Sequence, residues 1–98
     1  MKNSTVLIVD DERDIRDLVS DILTDEGFLC QTASNSDEAL LKIRKNQPNI
    51  ILLDIWLQNS NLDGLAILEI IKQEYPSVPV IMISGHGTIE TAVNAIKI

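Results

Sequence analysis

Four short runs of apolar, mostly β-branched residues recur along the chain. They cover residues 5–9, 28–32, 50–53 and 80–83. Runs that stay apolar at successive positions, without strict alternation, are typical of strands covered on both faces, as in a parallel sheet. The second run is the weakest of the four because it includes Gln31 and Thr32. The pattern therefore predicts four buried strands.

Helical patterns fill the intervals between these strands. The first helix is predicted from an apolar stripe at spacings of three and four residues, formed by Ile15, Leu18, Val19, Ile22 and Leu23. The second begins at Asn35, where Glu38 three residues later resembles a capping box, and it ends before Pro48. A third helix is predicted over about 65–74, and a fourth after Thr88.

The predicted elements alternate as strand, helix, strand, helix through the whole chain. This order predicts an α/β fold, with one open parallel sheet, right-handed crossovers and helices on both faces. The length of 98 residues fits one domain. Ligands of such sheets bind beyond the carboxyl ends of the strands, near the switch in strand order. The chemistry of this chain is expected there.

Acidic and hydroxyl side chains follow the predicted strands at that edge. Asp10 and Asp11 follow the first strand, Asp54 ends the third, and Ser84 follows the fourth. If the first and third strands are neighbours, the three carboxylates converge and repel, which favours a bound cation such as Mg²⁺. A carboxylate beside that ion is able to attack phosphorus, while a hydroxyl donates to a phosphoryl oxygen. The alternative is that these acids only solvate loops or cap helices, as Asp11 is placed to do.

Composition narrows the class of protein. The chain has 15 acidic and 8 basic residues, a formal charge of −7, and a 45 % hydrophobic content that argues against disorder. The acidic balance argues against direct nucleic-acid binding. No apolar run approaches the roughly 18 residues of a membrane span. One cysteine, Cys30, cannot form an internal disulfide, so a reducing cytoplasm is the expected location.

Four motifs at strand and loop ends together resemble the receiver domain of bacterial two-component response regulators. They are Val9-Asp-Asp-Glu12, Leu53-Asp54, Asp63-Gly64 and Ile83-Ser84-Gly85-His86-Gly87. The resemblance covers essentially the whole chain and implies a flavodoxin-like topology with strand order 2-1-3-4. Segments 54–64 and 84–92 are most similar to nitrogen-regulation regulators of the NtrX and NtrC kind. Most receivers have a proline and two fewer residues between the acid and that glycine.

The resemblance implies a role for each matching residue. Asp54 is expected to be the phospho-acceptor, which takes a phosphoryl group from a sensor histidine kinase. Asp10 and Asp11 are expected to hold Mg²⁺ together with Asp54, and the backbone carbonyl of Trp56 to complete the protein ligands. Ser84 occupies the switch position that hydrogen-bonds the phosphoryl group. The resemblance thus implies a phosphorelay component of transcription regulation and not an enzyme.

The chain also departs from the receiver pattern. Residues 1–98 are expected to form one incomplete receiver domain, because a fifth strand, with its lysine and switch aromatic, and a fifth helix have no counterpart. The exposed edge of strand 4 and helix 4 then predicts a homodimer, against the alternative of a poorly folded monomer.

Two other functions stay open at this stage. The first is a phosphorylation-deficient fragment that acts as an interaction or dimerisation module. The second is a small phosphatase with an aspartate nucleophile, although such enzymes usually separate their two acids by one residue, whereas Asp10 and Asp11 are adjacent.

Overall fold

Strands and helices alternate along residues 4–83, which are the residues that this computed structural model describes. The strands are β1 (Thr5–Val9), β2 (Leu29–Ala33), β3 (Ile50–Asp54) and β4 (Val80–Ile83). The helices are α1 (Arg13–Asp25), α2 (Ser36–Lys45) and α3 (Gly64–Glu74). Every neighbouring pair of strands is parallel, and the sheet has the order β2-β1-β3-β4. The predicted open parallel sheet and its strand order are confirmed.

The strands lie close to their predicted positions. β4 has the predicted bounds, β3 extends one residue further to Asp54, and β2 is shifted by one residue toward the carboxyl end. Phe28, which the pattern placed in β2, precedes the strand and is buried in the core at 8 % exposure. A buried aromatic residue beside a strand gives the same apolar signal as a strand residue, so the boundary is displaced.

Alternate residues of the central strands face opposite layers of the core. Leu7 and Val9 of β1 belong to a cluster with residues of α2 and α3, such as Ile43 and Ile67. Val6 and Ile8 belong to a second cluster, which includes residues of α1. Because the interiors of β1 and β3 are buried on both faces, their side chains there are apolar at successive positions instead of every second one. The prediction of helices on both faces is confirmed.

Helix α1 buries a narrower stripe than the sequence pattern predicts. Val19 and Leu23 are fully buried, and Ile15 and Ile22 pack against the same cluster. Leu18 is 50 % exposed, so its assignment to the apolar stripe is wrong. Successive helix residues are rotated by about 100°, which places Leu18 about 120° around the axis from the midpoint of Val19 and Leu23.

The start of α2 is capped as the sequence predicts. The side chain of Asn35 accepts a hydrogen bond from the backbone N–H of Glu38 at 2.9 Å. The carboxylate of Glu38 in turn accepts the N–H of Ser34 at 3.0 Å, one residue before the cap. The first bond satisfies a backbone donor that the helix leaves without a partner in its first turn, and the second ties the residue before the cap to the same turn.

Part of the sequence prediction lies beyond these residues. The fourth helix after Thr88, and with it the helix 4 part of the expected dimer surface, lie outside the described residues. Within residues 4–83, no helix combines the length and apolar character that crossing a membrane requires.

Candidate functional site

The register of the two central strands brings the acidic residues together. Val9 of β1 is paired with Leu53 of β3, so the next residues, Asp10 and Asp54, lie side by side at the carboxyl edge of the sheet. Asp10, Asp11 and Asp54 each offer a carboxylate oxygen, and these oxygens all lie within 4.8 Å of one another. The predicted convergence of the three carboxylates is confirmed. We call these three residues the acidic cluster.

Asp10 is the most buried member of the acidic cluster, at 6 % exposure. Its Oδ1 accepts the backbone N–H of Glu12 at 2.8 Å. Burial is the main cause that raises the pKa of the Asp10 carboxyl from 3.8 to about 6; the nearby charges of Asp54 and Asp11 act in the same direction, and the hydrogen bond from Glu12 opposes them. A neighbouring cation would therefore stabilise the charged form of Asp10.

The carboxylate of Asp54 is hydrogen-bonded to the backbone of the segment that follows β3. Its Oδ1 accepts the backbone N–H of Trp56 at 2.9 Å. Burial is the main cause that raises the pKa of Asp54, and a hydrogen bond and charge repulsion from Asp11 act in the same direction, while the bond from Trp56 lowers it. The side chain of Trp56 is 68 % exposed, as expected for a loop residue beside the site. The role of its carbonyl as a metal ligand stays a prediction.

Backbone contacts fix this edge of the sheet. The N–H of Asp10 donates to the carbonyl of Ala33 on β2 at 3.1 Å. The guanidinium of Arg16, from the second turn of α1, donates to the main-chain oxygen of Asp10 at 2.8 Å. Sequence reasoning missed Arg16, because an arginine on a helix that also carries Arg13 and several acids gives no signal of which backbone atom it reaches.

Asp63 and Gly64 join α3 tightly to the end of β3. The Asp63 side chain caps α3 by accepting the N–H of Ala66 at 2.9 Å. A Cβ at Gly64 would lie 2.3 Å from the carbonyl oxygen of Asp54 and 2.8 Å from the Cα of Ile55, both backbone atoms. Only glycine fits this approach. This close approach is the physical reason for the Asp63-Gly64 motif seen in the sequence.

A second set of contacts links the loop between β3 and α3 to the start of α2. The N–H of Ser36 donates to Oγ of Ser60 at 2.7 Å, and the N–H of Leu62 donates to Oγ of Ser36 at 3.2 Å. The Asn61 amide donates to the carboxylate of Asp37 at 2.8 Å. Sequence reasoning missed these residues, because nothing in a polar loop indicates its partner 24 residues away.

The donor set of the acidic cluster fits a hard divalent cation. Carboxylate oxygens are the ligands that Mg²⁺ and Ca²⁺ prefer. The three ion pairs found among residues 4–83 all involve other carboxylates, so none of them offsets the charge of the cluster. Ser84, the predicted hydroxyl donor, directly follows β4 in sequence and lies outside the described residues.

The chain is similar in sequence to regulatory proteins of bacteria. The chain is 63 % identical over 92 residues to the nitrogen assimilation regulatory protein NtrX of Azorhizobium caulinodans, and it covers 20 % of that protein. It is 36 % identical over 95 residues to the DNA-binding transcriptional regulator NtrC of Escherichia coli. The match covers 94 % and 97 % of this chain, respectively. The chain thus spans about a fifth of the length of the curated relatives it matches.

A solved structure and a family model agree with these relatives. The crystal structure of the receiver domain of NtrX from Brucella abortus matches with a TM-score of 0.80 and 59 % identity, over 94 % of this chain and 77 % of that chain. Residues 6–98 match the model of the response regulator receiver domain. With the parallel sheet and the acidic cluster at its carboxyl edge, these matches show that the chain belongs to the family of response regulator receiver domains.

Proposed function

We propose that the chain is a phospho-acceptor that receives a phosphoryl group on Asp54 in a Mg²⁺-dependent reaction. The observation that supports this most directly is the acidic cluster, whose three carboxylate oxygens lie within 4.8 Å of one another at the carboxyl edge of β1 and β3. The raised pKa values of Asp10 and Asp54 add support, because a cation at this point relieves the repulsion that raises them.

Asp54 is oriented for attack by the residue two positions later. Oδ1 of Asp54 accepts the Trp56 N–H. In the proposal, the other carboxylate oxygen, Oδ2, attacks the incoming phosphorus. That oxygen forms a new bond to phosphorus while the bond from phosphorus to the imidazole nitrogen of a phosphohistidine breaks. The imidazole leaves with the bonding electron pair and takes up a proton, and Asp54 becomes an acyl phosphate.

The other members of the site hold the metal and the transferred group. Asp10 and Asp11, with the Trp56 carbonyl, would bind Mg²⁺ beside Asp54. When bound, the ion offsets the negative charge of the phosphoryl oxygens. In the proposal, the Ser84 hydroxyl donates a hydrogen bond to a phosphoryl oxygen.

The proposed donor is a sensor histidine kinase in the cytoplasm, and the chain acts as a phosphorelay component and not as an enzyme. One relative is a nitrogen assimilation regulatory protein and another is a DNA-binding transcriptional regulator. A role in transcription regulation is proposed by analogy, with no nucleic acid bound by this acidic domain itself. A homodimer through strand 4 and helix 4 stays a prediction; among the described strands, β4 has β3 as its one neighbour.

Intact-mass spectrometry after incubation with Mg²⁺ and acetyl phosphate tests the proposal. We expect one added phosphoryl group, which disappears with EDTA and with Asp54→Asn. Asp21→Asn is the matched control, because Asp21 lies on the exposed face of α1, and it should be labelled like the wild type. Labelling that persists in Asp54→Asn would place the acceptor elsewhere. No labelling of the wild type would favour the interaction module instead.

A further inference from the structure

The loop of residues 55–63 is fastened to the start of α2 by three hydrogen bonds, which we call the loop bracket. In two of them, Ser36 donates its N–H to the Ser60 hydroxyl and accepts the N–H of Leu62 on its own hydroxyl. The third joins Asn61 to Asp37. The bracket therefore connects two elements that are remote in sequence, one of which leads directly from Asp54.

The α2 side of the bracket is a buried and capped helix start. Ser36 is fully buried and is the first residue of α2. Its N–H is one of the donors that a helix start leaves without a partner in the helix, and the Ser60 hydroxyl satisfies it. The cap formed by Asn35 and Glu38 holds the same turn. The loop is therefore attached to a helix start that is itself held by burial and by hydrogen bonds.

The loop side of the bracket reaches α2 through a tight bend. Asn59 has a φ of 53°, in the left-handed region that asparagine tolerates better than most residues. The bend lies between Leu57, which is 6 % exposed and packs in the core, and Ser60. Gly64 closes the loop against the Asp54 backbone. The loop is thus held at Leu57, at the bracket and at Gly64.

We propose that Ser60 is a positioning residue for the metal site. Its hydroxyl holds the loop on α2 and so keeps the Trp56 backbone beside Asp54, where the N–H of Trp56 bonds Oδ1 and its carbonyl serves as a metal ligand. The inference rests on the proposed function, which assigns that carbonyl to Mg²⁺. It goes further by naming what holds the ligand in place.

The size of the expected effect follows from how metal sites respond to lost support. Removing a group that directly orients a ligand typically costs about 10- to 100-fold in metal affinity. Ser60 acts at a greater distance, through the chain between residues 56 and 60. Leu57 also anchors this chain. We therefore expect Ser60→Ala to weaken Mg²⁺ binding by about 3- to 10-fold, a smaller effect than loss of a direct support.

Titration of the full chain with MgCl₂, followed by the fluorescence of Trp56, measures this effect. Ser60→Ala should raise the Mg²⁺ Kd, and Ser60→Thr, which keeps the hydroxyl, should restore it to within about 2-fold of the wild type. Ser77→Ala is the matched control, an exposed serine in the loop before β4, and should leave the Kd unchanged. Urea unfolding in EDTA reports the stability of each variant separately.

Hydrogen exchange of the Trp56 amide in EDTA supplies a readout that needs no metal. We expect faster exchange in Ser60→Ala than in the wild type and no change in Ser77→Ala. An unchanged Kd with wild-type exchange in Ser60→Ala overturns the inference. A lower urea midpoint with an unchanged Kd also overturns it, because Ser60 would then be purely structural.

The Mg²⁺ titrations distinguish a failure of the proposed function from a failure of the inference about Ser60. If the wild type itself does not bind Mg²⁺, the proposed function and the inference fall together. If the wild type binds Mg²⁺ and Asp54→Asn does not, while Ser60→Ala binds like the wild type, only the inference falls.

Discussion

The interior of the two central strands and their carboxyl edge differ sharply over one residue. Val6 to Val9 and Ile50 to Leu53 are apolar and at most 8 % exposed. The next residues, Asp10 and Asp54, are carboxyls whose pKa values are raised chiefly by burial. The same strands that bury the core thus hold charged groups at an energetic cost. The edge therefore carries a concentration of negative charge that destabilises the fold and that a bound cation would relieve.

The first test of this difference is to shorten a side chain in the buried interior of the sheet. Leu52 is fully buried in the cluster that contacts α1. Leu52→Ala should lower the free energy of unfolding by about 3 kcal/mol or more, because it removes buried methyl groups and leaves a cavity. Urea unfolding monitored by circular dichroism measures the loss.

The matched control for this prediction is the same substitution on the surface. Leu41 lies on α2 and is 60 % exposed, so Leu41→Ala should change the unfolding free energy by less than about 0.5 kcal/mol. Equal losses in the two variants would contradict the assignment of Leu52 to the core.

The second test concerns the junction between the interior and the edge. Gly64→Ala forces a methyl group against the carbonyl of Asp54, so β3 or α3 must shift, at a cost of about 1–3 kcal/mol. Because the shift lies beside Asp54, Mg²⁺ affinity should fall as well. Gly27→Ala, which introduces strain at a φ of 97° after α1, should cost stability but leave Mg²⁺ binding unchanged. Identical Mg²⁺ affinities in both variants would refute this prediction.

The third test is a substitution at the edge that should raise the stability of the fold instead of lowering it. Asp10→Asn keeps an oxygen that can accept the Glu12 N–H but cannot carry the charge that burial penalises. In EDTA near neutral pH, this variant should be more stable than the wild type by up to about 3 kcal/mol, since the pKa of Asp10 is raised from 3.8 to about 6 and one pKa unit corresponds to about 1.4 kcal/mol. It should also lose the increase in melting temperature that Mg²⁺ confers on the wild type.

The control for the sign reversal is an acid outside the acidic cluster. Asp21→Asn, on the exposed face of α1, should change stability by less than about 0.5 kcal/mol and keep the Mg²⁺ response. A less stable Asp10→Asn in EDTA would show that burial does not penalise the Asp10 charge.

The smallest expected effect is the dependence of stability on pH. The pKa of Asp10 is about 6 in the folded chain, against 3.8 as the ordinary value, so the folded state holds a proton that the unfolded state has lost between these values. Stability in EDTA should therefore fall as the pH rises through this window, by on the order of 1 kcal/mol between about pH 5 and 7.5. Urea midpoints at several pH values measure it, and Asp10→Asn should flatten the slope. A slope of opposite sign that Asp10→Asn leaves unchanged would count against the raised pKa.

The local sequence determined most of the secondary structure. The runs at 50–53 and 80–83 predicted β3 and β4 within one residue, because continuous apolar segments between loops have few other stable arrangements. Asn35 and Glu38 predicted the start of α2, because capping depends only on neighbours in the chain. The acids at the strand ends indicated the edge of the sheet where the site lies.

Only the tertiary structure decided which of these groups meet. The pairing of Val9 with Leu53 places Asp10 beside Asp54, and such a register depends on packing across the whole sheet. The exposure of Leu18 depended on how α1 is rotated on the sheet. The contact of Ser36 with Ser60 joins polar groups that carry no periodic signal. The sequence by itself therefore determined the elements and their chemistry, and the packing of strands and loops determined the geometry of the site.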